Sequence, residues 1–166
     1  GREVTRSRLM TRGFATLLAV SLIALGGCAM TETSKIDQYQ REAQTIATDL
    51  VAVVPGNTEV LNWDSALGTG GGTPDAEVWW QVSQAMNAAE GLVGGAGAVG
   101  DALAAKLEAD GWDGNELARS NESRAVFGFN REDAEGGDWY VEVRYRLGEN
   151  ARGVDFLVVS PTTPAQ

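Results

Sequence analysis

Apolar residues recur at steps of three and four from residue 36 onward. Ile36, Tyr39, Ala43, Ile46, Leu50 and Val53 fall on one stripe, which predicts an amphipathic helix of about five turns. Ser34 stands at its start with Asp37 three residues on, the spacing at which a hydroxyl and an acid satisfy exposed helix-end amides. Pro55-Gly56 ends it, because proline cannot continue the hydrogen-bond ladder. Such a stripe could serve a partner helix, but three heptads are marginal for a zipper, so packing on the chain's own sheet is expected.

Residues 58–63 are short and β-rich and predict a first strand. Gly68-Thr-Gly-Gly-Gly-Thr73 reads as a flexible loop. Thr73-Pro74-Asp75 then has the order of an N-cap, a first-turn proline and a dipole-matched acid. The helix it predicts runs towards Glu90, with Val78, Val82, Ala85, Met86 and Ala89 facing inward. A glycine-rich break follows, then a shorter helix over 99–109 that ends at Asp110-Gly111.

The last third alternates in steps of two. Trp139, Val141, Val143, Tyr145 and Leu147 are interleaved with Tyr140, Glu142, Arg144 and Arg146, which predicts one buried and one wet face. Ala125, Phe127 and Phe129 mark the preceding strand, with 132–138 as the hairpin loop. Residues 154–159 are the last strand, and 161–166 a polar tail. The expected order is α-β-α-α-β-β-β over residues 34–160: a single α+β domain, a mostly antiparallel sheet of about four strands packed against helices.

Upstream of this domain the pattern is of another kind. Residues 14–25 carry no charge and follow Arg12, the arrangement of an export signal over 1–27. As a helix those residues would span roughly 18 Å, short of the roughly 30 Å hydrocarbon core. Leu25-Gly26-Gly27-Cys28 comes next and resembles the lipobox of bacterial lipoproteins: a branched aliphatic, two small residues and a cysteine. The resemblance implies that Cys28 receives diacylglycerol (hence palmitate-type acyl chains) and becomes the first residue of a membrane-tethered, extracytoplasmic protein, with 28–33 as a short spacer. Gly26 departs mildly from the Ala or Ser usual there. Met10 followed by Arg12 and the apolar run makes a complete signal by itself, so translation is expected to start at Met10. A helix ending in Ala52-Val-Val-Pro-Gly56 followed by a short strand with Trp63 and Asp64 is similar, with the lipobox, to the LppA-like small lipoproteins of actinobacteria. That resemblance covers roughly residues 46–64 and implies no functional residues.

Charge and composition narrow the chemistry. The chain carries a formal charge of −10; residues 1–27 hold four arginines against Glu3, so the remainder has 9 basic and 22 acidic groups, a charge of −13. That argues against nucleic acid or an anionic lipid surface as a partner of the mature domain. There is no histidine, which excludes imidazole-based catalysis and histidine metal sites. A single cysteine excludes an intrachain disulfide. Arginine outnumbers lysine 11 to 2, a bias of GC-rich genomes.

Three local patterns invite function. Gly95-Ala-Gly97-Ala-Val-Gly100 has the letters of a dinucleotide fingerprint, but no buried strand is expected before it, so a flexible linker between helices is predicted and no cofactor. Asp110, Asp113 and Glu116 gather carboxylates without EF-hand spacing, so a solvated helix-terminating loop and no metal are expected. Trp63 and Trp139 are expected in the core, whereas Trp79 and Trp80, adjacent on a predicted helix and about 100° apart, cannot both face it; they are the candidate exposed contact aromatics. The expected function is a non-enzymatic, membrane-tethered module of the cell envelope that binds or presents something outside the cell, an envelope protein or a small ligand. The alternative is a small-ligand or lipid carrier with a pocket between sheet and helices. A carboxylate hydrolase trails both, because nothing designates a pair among the acids.

Overall fold

The computed structural model describes residues 33–165. The leader, Met10, Leu25-Gly26-Gly27, Cys28 and most of the spacer lie outside the described residues. Helix α1 spans Lys35–Ala52; the Asp37 amide donates to the Ser34 Oγ at 3.3 Å, and the helix ends at Val53, before Pro55. Tyr39, Ala43, Ala47 and Leu50 form its buried face.

The largest departure follows α1. Strand β1 covers Glu59–Thr69 and β2 covers Glu77–Asn87, paired antiparallel from Glu59↔Asn87 to Thr69↔Val78. The segment expected as a helix is therefore a strand. Its inward residues Val78, Val82 and Met86 are four apart, a step that suits one helix turn and two strand alternations equally. Trp80 and Gln84, midway between them, share their face of the sheet, which a helical reading would not allow. Thr73-Pro74-Asp75 belongs to the hairpin loop, where the Ala76 amide donates to the Thr73 carbonyl.

Helix α2, Gly95–Ala109, starts four residues earlier than expected and takes in the glycine run. After it come β3 (Asp113–Glu116), β4 (Arg124–Glu132), β5 (Asp138–Arg146), β6 (Gly153–Val159) and β7 (Thr163–Pro164). All pair antiparallel in one sheet of order β1-β2-β6-β5-β4-β3, with β7 added to β2. The expectation of about four strands packed against helices is thus overturned: among the described residues two helices accompany seven strands, and the sheet dominates. The chain crosses once, through α2, from β2 to the far edge at β3, and returns as a meander that closes on β2.

Both helices lie on one face. Val82, Phe156, Val143 and Phe129 share that face by register, and Val99 and Leu103 of α2 and Ala43 and Ala47 of α1 pack on them. Tyr39 meets Trp139 edge-on with ring centroids 5.6 Å apart, and the Trp139 Nε1 is buried without a hydrogen-bond partner. Gly100 lets α2 approach the sheet, because a Cβ there would overlap the Tyr145 ring. The expected flexible linker is thus the first turns of α2, and of the fingerprint glycines it is Gly100 that helix–sheet packing requires.

Candidate functional site

Among the described residues, the face of the sheet away from the helices is covered at one end by a loop. After β3, residues 117–123 curl beneath β4: the Leu117 amide donates to the Val126 carbonyl, and Ser120 Oγ accepts from the Val126 amide. This loop buries two residues of the face expected to be wet, Val126 and Glu142. Strand alternation alone could not show it, since the cover comes from a loop with no pattern of its own.

Glu142 sits at the centre of a polar network. Arg119 from the loop pairs with Glu142 Oε2, and the Tyr140 hydroxyl donates to the same oxygen at 2.7 Å. Arg144 lies 3.9 Å from Oε1 and pairs through its Nε with Asp155 on β6. Arg119 is raised above the usual arginine range by its hydrogen bond to Glu142 and by that carboxylate's charge. Burial, then the hydrogen bond and charge of Glu142, push Tyr140 up to about 12. The carboxylate is fully engaged and faces a closed loop, so the arrangement fastens the loop to the sheet.

A pH prediction follows. An unfolded tyrosine titrates near about 10, so a folded value raised to about 12 contributes stability that is fully present below pH 10 and lost as pH climbs between the two. The unfolding midpoint should fall across that window, and less steeply in Tyr140→Phe, which lacks the titrating group. Parallel curves for the two proteins would refute the assignment.

Candidates from the sequence separate as follows. Trp79 and Trp80 stand on opposite faces of β2 and are both half-buried. Trp80 donates through Nε1 to Ser65 Oγ at 2.9 Å, and the Trp79 ring lies against Gly68 directly across the hairpin. Both brace β1 on β2. Trp139 is fully buried as expected, but Trp63 is not a core residue: it lies on the edge strand, beyond the helical layer, and is 44% exposed. Tyr145 is only half-buried, and Leu147 lies past the end of β5 and is exposed.

The amino-terminal turn of α2 has no phosphate-binding character. The Gly95 amide donates to the Leu92 carbonyl and the Ala96 amide to the Ala151 carbonyl, each at 2.9 Å. Glu90, Glu149 and Arg152, whose Nε donates to the Ala88 carbonyl, line the groove beside it, and among the described residues every strand pairing is antiparallel, unlike the βαβ context of a nucleotide site. Asp110 pairs with Lys106, whereas Asp113 and Glu116 belong to β3 and do not terminate the helix. Between them Trp112 is buried under the Arg131 guanidinium, 4.5 Å from its ring. Among the described residues no three acidic or sulfur side chains converge as metal ligands.

The two edges of the sheet differ. β3 is four residues long and presents Asp113, Gly114, Asn115 and Glu116, a short acidic edge that resists further pairing. β1 is 11 residues long, and its Val60, Leu61, Trp63 and Leu67 are between 42% and 52% exposed. Among the described residues no strand pairs with its outer side. No family model, curated protein or solved structure matches the chain.

Proposed function

We propose that the mature chain is a non-enzymatic module of the cell envelope, tethered through diacylglycerol on Cys28, that takes up an extended segment of another envelope protein along β1. The observation that carries this reading is the long apolar edge. The register of β1 on β2 shifts between Val60 and Trp63, and the regular run 63–69 beyond it, with an open outer side and exposed Trp63 and Leu67, is a template for strand addition, in which main-chain hydrogen bonds supply affinity and side chains specificity. Residues 54–77 contain Glu59, Asp64, Asp75 and Glu77 and no basic residue, so the complementary segment is apolar and basic. The carrier alternative has less support, because the side chains where helices meet sheet (Val82, Val99, Leu103, Val143, Phe156 and Val158) are completely buried against one another.

The test places a photo-crosslinking residue at Leu67, with Leu147, exposed beyond β5, as the control. In the native envelope the Leu67 protein should give one defined adduct whose cross-linked peptide, read by mass spectrometry, is apolar and basic. Leu61→Lys should reduce it by like-charge repulsion and lost contact. An adduct consisting of a second copy of the chain, or equal labelling from Leu147, would overturn the reading.

A further inference from the structure

At the uncovered end of the open face, a cleft of about 180 Å³ crosses the sheet from β1 to β4. Three arginines line it, Arg124 from β4 and Arg144 and Arg146 from β5. Asp155 is the one acid in its wall, and it is already engaged by Arg144 Nε. In a chain of formal charge −10, this spot carries two uncompensated positive charges.

Two independent features show that the cluster is unsatisfied in the protein alone. Arg124 and Arg146 are direct cross-strand partners on one face, an arrangement in which like charges repel. Among the described residues neither makes an ion pair. The Arg124 Nε is also shut off from solvent and has no hydrogen-bond partner. A sealed guanidinium nitrogen without an acceptor is costly, and a native fold rarely keeps one without a use for it.

We propose that this cleft binds a phosphate group. A guanidinium offers paired N–H donors in a plane, which match the oxygens of phosphate two at a time, and a dianion neutralises the charge excess that the three arginines leave. The volume holds several water-sized units, at about 30 Å³ each, so it admits the phosphate and a small organic group attached to it. Leu61 and Ala85, which shares the face of Asp155 and Arg144, give the cleft an apolar wall against which that group lies. The cleft meets β1 only at Leu61, and the two readings are told apart because Leu67, outside the cleft, reports strand addition whereas phosphate binding is read through Arg124 and Arg146.

Inorganic phosphate, titrated calorimetrically into the full-length chain in neutral detergent at low ionic strength, is the probe, with acetate as a singly charged comparison. Saturable one-to-one binding of phosphate, tighter than that of acetate, is expected. Arg124→Gln should weaken it by about tenfold or more, whereas Arg41→Gln, on the exposed side of α1, should leave it unchanged. Should Arg124→Gln fail to fold, Arg146→Gln at its exposed position serves instead, and amide shifts on phosphate addition should cluster at residues 85, 124, 144 and 146. Absence of saturation by about ten millimolar phosphate, or equal affinity in the arginine variants, would overturn the proposal.

Discussion

Val143→Asp is expected to leave the domain without a cooperative unfolding transition near the wild-type temperature. Val143 is completely buried on β5, with Phe127 of β4 and Phe156 of β6 as its register neighbours and the helical layer above. Aspartate there gives up about 1.5–3 kcal/mol of apolar burial. It also removes a carboxylate from water with no cationic partner in reach, which costs several kcal/mol more. A domain of this kind has about 5–15 kcal/mol in total. One position on, Arg144 points to the other face and pairs with Asp155 where both are partly exposed. Arg144→Ala should therefore cost about 1 kcal/mol or less. Thermal unfolding followed by circular dichroism separates the two: a shift of about 10 °C or more, or no transition, against a few degrees. Equal shifts would mean that the strand's inward and outward faces are assigned the wrong way round.

The same strand shows what could be read in advance and what could not. The alternation from Trp139 to Val143, and the pairing of β4 with β5 across 133–137, follow from spacing alone, because both concern neighbours along the chain. The Ser34 cap and the stop before Pro55 are local in the same way. The segment at 77–87 failed because a four-residue apolar step fits helix and strand alike, and the Thr73-Pro74-Asp75 turn chemistry tipped it the wrong way. The adjacent tryptophans and valines, which favour a pleated surface, carried the better signal. The strand count falls short by three, because the hairpin reads as one strand and a helix, the acidic segment 113–116 as a loop and 163–164 as part of a polar tail. The arginine cleft is not visible in the sequence for another reason. Arg124 and Arg146 are 22 positions apart, and they meet only because β4 and β5 pair in one particular register. The burial of Glu142 depends likewise on Arg119 arriving from an irregular loop.

Cys28→Ser is expected to abolish lipid labelling altogether and to block cleavage after Gly27, the largest effect any single substitution should have on where the protein resides. On the proposed reading the thiol is the group that takes the diacylglycerol. Two acyl chains, at roughly 0.8 kcal/mol per buried CH₂, give lasting attachment where one gives marginal binding. Nothing else described competes for that role. No helix among the described residues is long and apolar enough to cross a membrane. The charge of −13 beyond residue 27 opposes adsorption to an anionic surface. The uncleaved leader of the serine variant retains its own apolar run and can hold precursor at the membrane, so labelling and localisation need separate readouts. An ordinary secretory signal placed ahead of residue 29 removes both the leader and the thiol. That protein should be recovered in the soluble fraction, with the unfolding curve of the tethered domain. Sedimentation with membranes would show that an attachment other than Cys28 holds the chain.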